Sequence, residues 1–157
     1  MGPAAGFDLA QKIPQVTPAQ SDQDHLDLLV ASTPTIPDRT EALTYEGPDF
    51  VPAVVQAGQQ LVAAGADQLV MACNTAHAEF DRIQSELPVP LLNMPELVMQ
   101  QVADLGVDEV VLFASDGPLI SGVYEQAAAD NQIRLIKPTF AEQFLINEAI
   151  YRGVKSG

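Results

Sequence analysis

Short apolar runs alternating with helical patterns, short connections between them, and proline- or glycine-bearing turns at the ends of the runs predict an α/β fold, in which parallel strands carry helices on both faces. Five runs read as strands: Leu28–Ala31, Leu69–Ala72, Leu91–Met94, Glu109–Ala114 and Ile133–Ile136. Right-handed crossovers between parallel strands place the loops at the strands' carboxyl ends along one edge of the sheet, where ligands bind in such folds.

The chain opens with a glycine- and proline-rich turn, Met1 to Gly6, followed by Phe7 to Ile13 at helical spacing. Such a turn normally follows a strand, so the chain is expected to start within a βα unit. Pro14 to Asp24 reads as a loop, and His25 to Ala31 as a strand with Leu28 to Ala31 buried. Ser32 to Thr40 contains two prolines within four residues and is read as a loop at that strand's end. Arg39 is carried on it; by itself it reads equally as a solvated loop arginine.

Pro52 to Ala64 reads as a helix with Val54, Val55, Leu61 and Val62 on one face and Gly65 as its C-terminal stop. The strand Leu69–Ala72 then leads into Cys73-Asn74-Thr75-Ala76-His77-Ala78, where an alanine-rich helix begins. The one cysteine of the chain therefore sits at a strand-to-helix junction. Unpaired N–H groups at a helix start favour a thiolate there; a small buried hydrophobe is the structural alternative. His77, one turn in, is expected to be exposed.

A helix through Phe80, Ile83 and Leu87 stops before Pro88, and Pro95 suits the first turn of a helix reaching about Leu105. After the strand Glu109–Ala114, Ser115-Asp116-Gly117-Pro118 forms another strand-to-helix turn, with capping as its minimal role and one helix running on to Ala129. Glu142 to Tyr151 reads as the last helix.

Composition narrows the function classes. Twenty-one acidic against seven basic side chains give a net charge of −14 over 157 residues, which argues against binding a nucleic-acid backbone. A carboxylate ligand remains compatible, because a few placed cations suffice for it. One cysteine allows no internal disulfide, and no apolar run reaches the roughly 18 residues of a membrane span. A cytoplasmic protein that binds neither nucleic acid nor membrane is expected. No metal-ligand spacing, phosphate-cradling glycine loop or cofactor lysine stands out, so neither a metal nor a cofactor is expected.

Several ordered motifs together resemble the aspartate/glutamate racemase family. Ala72-Cys73-Asn74-Thr75-Ala76-His77 is similar to its first catalytic-cysteine motif, Met1-Gly2-Pro3 to the end of its opening glycine loop, and Ile36-Pro37-Asp38-Arg39-Thr40 to a characteristic loop. Ser121-Gly122-Val123-Tyr124 and Ala149 to Gly157 resemble its second half. The resemblance implies two similar α/β half-domains, residues 1–94 and 95–157, with the site between them. It implies cofactor-independent inversion of an acidic amino acid by cysteine-based proton transfer.

Carried over residue by residue, Cys73 is the first base, Asn74 and Thr75 hold the α-carboxylate, Arg39 grips a carboxylate and Lys155 recognises the side-chain carboxylate. Ser115 lines the opposite side of the cleft. The first strand and the family's second cysteine motif, Gly-Cys-Thr-Glu-like, are absent, so the resemblance implies truncation at both ends. Asp116 and Pro118 stand where the family has small hydroxyl residues. Three readings follow: a racemase acting in full or on one face, a non-catalytic acidic-metabolite binder or assembly protein, and an enzyme using Cys73 as a nucleophile. A small acidic amino acid is the expected partner, with a homodimer as an open alternative to the monomer.

Overall fold

A computed structural model of the chain describes residues 2–44 and 46–154. It holds four strands in two parallel pairs, each flanked by helices, and each with its own hydrophobic cluster. In the first half, β1 (Leu69–Val70) pairs with β2 (Leu91–Leu92), Leu69 opposite Leu91 and Val70 opposite Leu92. In the second, β3 (Glu109–Val111) pairs with β4 (Arg134–Ile136), with Val110 opposite Leu135. The parallel α/β architecture is the one the sequence pattern predicts, and its two halves are what the family resemblance implies.

Before β1 come α1 (Pro3–Val16), α2 (Arg39–Leu43) and α3 (Val51–Ala63). Helix α1 runs through Pro14 rather than stopping at Ile13. Pro14 forgoes its own backbone hydrogen bond to the preceding turn, and Thr17 closes the end by donating both its N–H and its hydroxyl to the Ile13 carbonyl. Helix α3 buries Val51, Val54 and Val55 against Leu69, Met71, Ile83 and Leu87, as its apolar stripe predicts.

The expected strand at Leu28–Ala31 does not form. Residues 26–33 are largely exposed and belong to no helix or strand ladder. Between this segment, α1 and β1 lies a cavity of about 820 Å³, lined by Phe7, Ile13, Leu29 and Val70 among others. A strand exists by hydrogen-bonding to a neighbour, and the cavity separates this segment from the edge of β1.

Beyond β1 the chain makes a five-residue 3₁₀ stretch, Thr75–Glu79, and then α4 (Phe80–Ser85). After β2, α5 (Met94–Asp104) carries Pro95 in its first turn as expected. The helix predicted from Pro118 to Ala129 is two helices, α6 (Asp116–Ser121) and α7 (Val123–Asp130). They break at Gly122, whose φ of +70° suits a residue without a side chain. Helix α8 (Phe140–Glu148) starts with a capping box between Thr139 and Glu142 and ends in a π-helical turn, Ala149–Val154. No helix among the described residues is long and apolar enough to cross a membrane.

Candidate active site at the seam between the halves

Three turns, one from each of three strand-to-helix or loop-to-helix junctions, meet where the two halves touch. Helix α2, the 3₁₀ stretch after β1, and α6 pack against one another. The contact is tightest at Gly117. A β-carbon built there would lie 2.5 Å from Thr75 Cγ2, 2.7 Å from Thr75 Oγ1 and 2.8 Å from Thr40 Oγ1. Each contacting residue lies within two positions of a candidate site residue: Thr40 beside Arg39, Thr75 beside Asn74, and Gly117 two beyond Ser115.

Cys73 is half-buried and packs against the first cluster, whose members Leu69, Met71 and Ala76 surround it in sequence. Its junction position is as expected, but the following helix is not. An α-helix begins only at Phe80, and the intervening 3₁₀ stretch is short. Aligned peptide dipoles are therefore few beside the thiol, which weakens the helix-end argument for a thiolate.

His77 overturns its expected exposure: it is 5% exposed. Its Nε2 accepts the Met94 backbone N–H at 3.3 Å, so the ring proton is on Nδ1, which donates to the Cys73 carbonyl at 2.8 Å. Burial holds the imidazole's pKa below its ordinary value, opposed by its backbone interactions with Cys73, Leu92 and Asn74 and by the Glu96 carboxylate. His77 thus ties the Cys73 turn to the start of α5 and remains neutral. The ring also stacks on Phe80, centroids 6.3 Å apart.

Asn74 is exposed, and its Oδ1 accepts a 2.7 Å hydrogen bond from the Tyr124 hydroxyl. Thr75 is 8% exposed, held between α2 and α6. Arg39 is the first residue of α2, a helix the sequence reading leaves as loop. Asp38 caps it by accepting the N–H groups of Thr40 and Glu41 at 2.8 and 3.1 Å. Arg39 Nη1 donates to the Pro37 and Ile36 carbonyls at 2.7 and 3.1 Å, anchoring the guanidinium to its own loop. Its Nε is buried without a partner.

Ser115, not Asp116 or Gly117, occupies the N-cap position of α6; it is half-buried and its side chain makes no capping hydrogen bond. Its turn is braced from α8: Gln143 Nε2 donates to the Ala114 carbonyl and Asp116 Oδ1 at 3.0 and 2.9 Å, and Asn147 Nδ2 donates to the same Asp116 oxygen at 2.9 Å. Asp116, which departs from the family pattern, is therefore engaged within the second half. Lys155 lies outside the described residues.

The structure thus brings the neighbourhoods of Cys73, Asn74, Thr75, Arg39 and Ser115 to one seam. Two cavities border it without taking in any of those five residues. One is the slot beside β1, and the other, of about 470 Å³, lies between the 3₁₀ stretch, α5 and α7. Among the described residues no group of His, Cys, Asp or Glu is gathered as a metal-binding cluster. Thr40, His77, Gly117 and Tyr124 were not singled out from sequence as parts of this seam. Thr40 and Tyr124 lie inside motifs already quoted, but their partners, Gly117 and Asn74, are 77 and 50 residues away and leave no local signal.

The family model for Asp/Glu/Hydantoin racemase matches residues 1–156. The broad-specificity amino-acid racemase RacX of Bacillus subtilis (strain 168) is 24% identical over 132 residues, which are 84% of this chain and 56% of that protein. The chain thus spans little more than half the length of that relative. The structure of the Picrophilus torridus aspartate racemase superposes with a TM-score of 0.80 at 27% identity, covering 99% of this chain and 71% of that one. An aspartate racemase homologue from Pyrococcus horikoshii OT3 shares the fold, with a TM-score of 0.77 at 19% identity over 95% of this chain and 66% of that one. With a family model spanning nearly every residue and an overall fold shared with an aspartate racemase, this chain belongs to the Asp/Glu/hydantoin racemase family.

Proposed function

We propose that this chain performs cofactor-independent proton transfer at the α-carbon of an acidic amino acid, aspartate or glutamate, with Cys73 as the base. The observation that carries the reading is the Thr40–Thr75–Gly117 contact, which sets the turns bearing Arg39, Cys73 and Ser115 on one seam between the halves. On this reading the halves divide as residues 1–94 and 95–157, and the substrate lies between them.

The chemistry follows from the side chains. Deprotonating an amino-acid α-carbon places negative charge on the adjacent carboxylate, so donors fixed at that carboxylate stabilise the transition state more than the ground state. The Asn74 amide, the Thr75 hydroxyl and the Ser115 hydroxyl are such donors. Arg39 contributes a charged fork suited to a carboxylate, as a lysine point charge would not, and Lys155 is the proposed contact for the side-chain carboxylate. The Cys73 thiolate takes the α-proton; the same thiol can return it to the same face.

A second reading is favoured by one observation: the sequence contains a single cysteine. Inversion needs a proton delivered to the opposite face, so a chain with one thiol supports one-face exchange or, without chemistry, binding of an acidic metabolite. Proton NMR in D₂O separates these. L- and D-aspartate and glutamate are incubated with the protein and with Cys73→Ala, and the α-proton signal is followed alongside chiral composition. Loss of the signal for one enantiomer without conversion, abolished in the variant, supports a one-base site. Conversion requires a second acid. Absence of exchange by folded protein sinks the catalytic reading, and aspartate binding that survives Cys73→Ala then supports the binder.

A further inference from the structure

We infer that Tyr124 is a positioning residue, reaching from α7 in the second half to fix the carboxamide of Asn74 in the first and so commit its Nδ2 donors to the cleft at the Cys73 turn. The inference rests on the proposed site for its functional meaning, the cleft included, while the hydrogen bond it starts from is observed. Tyr124 is 7% exposed and its ring belongs to the second hydrophobic cluster with Met99, Ala127 and Ala128. Its hydroxyl meets Asn74 Oδ1 at 2.7 Å.

A phenol in such a place needs a hydrogen-bond partner. Here the partner is no backbone group of its own half but an exposed side chain 50 residues away, immediately after the cysteine. The direction of the bond matters. An asparagine amide has an acceptor end and a donor end. With the acceptor end satisfied by the phenol, rotation of the amide would set an N–H₂ against the hydroxyl and present an oxygen to the ligand. For a ligand carboxylate, that oxygen would be repulsive. Burial pushes the Tyr124 phenol's pKa up, so it keeps its proton.

The bond also couples the halves. Asn74 is correctly turned only when α7 is docked beside the 3₁₀ stretch, and those two elements pack directly. A binding site for the α-carboxylate is then assembled by docking rather than by the first half alone.

The test uses the full chain labelled with ¹⁵N, with the Asn74 side-chain amide pair identified by its absence in Asn74→Ala. In Tyr124→Phe, which keeps the ring, the pair is expected to change chemical shift and lose order while other side-chain amides stay in place. An unchanged pair overturns the inference. Labelling with 3-fluorotyrosine gives an independent check that keeps the native packing: a stronger phenol donor is expected to shift the same pair in the unmutated sequence, and no shift overturns the inference. Titration with L-aspartate then reads the consequence. Tyr124→Phe is expected to weaken binding about threefold to tenfold, the range for one hydrogen bond, and to have no further effect in the Asn74→Ala background. A loss that persists in that background shows Tyr124 acting through general packing and overturns the coupling. Failure of the unmutated protein to bind aspartate, with the amide effect present, counts against the proposed function and leaves the orientation established.

Discussion

Thr75 and Gly117 approach so closely that no side chain fits between them: a β-carbon on Gly117 would sit 2.5 Å from the Thr75 methyl. This contact joins the turn after β1 to the turn after β3, one from each half. It explains why the third residue of the Ser115-Asp116-Gly117 turn is a glycine even though that residue needs no unusual backbone angle, since it is not among those with positive φ.

Gly117→Ala is therefore expected to destabilise by about 1–3 kcal/mol, the range for overpacking a close-packed site. Thr75 is held by α2 on its other side and has little room to retreat. Combining the change with Thr75→Ala, which removes both nearest atoms, is expected to cost less than the sum of the single changes. Urea unfolding of the two single variants and the double variant measures this; strict additivity would show that the contact is not the source of the strain.

His77 predicts a pH dependence. Its folded-state pKa lies below the ordinary value because of burial, so the unfolded chain binds the proton more readily. The neutral ring's contribution is complete above about pH 6.5, the unfolded value, and declines as pH falls toward the lower folded value. His77→Gln, which retains a hydrogen-bonding side chain without titrating, is expected to lose less stability than the unmutated protein between pH 7.5 and pH 5.5. Urea midpoints at the two pH values read the difference. Equal losses in both proteins would place the pH sensitivity elsewhere.

Arg39 serves its loop and, on the proposed function, its ligand. Arg39→Lys removes the two Nη1 bonds to the Ile36 and Pro37 carbonyls in their present geometry. A stability loss of about 1 kcal/mol is expected, typical of a hydrogen bond of this kind. Aspartate affinity, measured by calorimetry, should fall by more than that loss predicts, because the carboxylate fork disappears as well. Affinity unchanged by the substitution would remove Arg39 from the binding site and leave it a loop anchor.

Ile83 anchors the first cluster with 0% exposure. Ile83→Ala is expected to cost about 2–5 kcal/mol, transfer and cavity terms together. Because α4 carries it directly after the 3₁₀ stretch, the loss should be accompanied by faster alkylation of Cys73 under native conditions. A stable variant with unaltered alkylation would mean that the turn is held from the other half alone.

Much of this was legible in the chain. The apolar runs at Leu69, Leu91, Glu109 and Ile133 mark the four strands, although only Leu69 and Leu91 of the paired residues are buried. Pro95 and the Thr139–Glu142 box lie at helix starts for local steric and hydrogen-bonding reasons. The motifs around Cys73 and Arg39 pointed to the seam and to the family. Two readings failed where neighbours decide the outcome. Leu28–Ala31 has the composition of a strand but no paired edge beside it, and His77 has the polarity of a surface residue but finds partners for both ring nitrogens inside.

What the sequence determined by itself is the order of the four strands that form, the class of the fold and the position of the thiol at a strand end. Each depends on interactions within a few residues, on periodicity, turn chemistry and capping. Tertiary structure alone decided that Thr40, Thr75 and Gly117 share one contact, that Tyr124 turns the Asn74 amide, and that His77 is buried and neutral. Those depend on close packing between segments 17 to 77 residues apart in the chain, where steric fit selects among many pairings that composition and periodicity leave equally available.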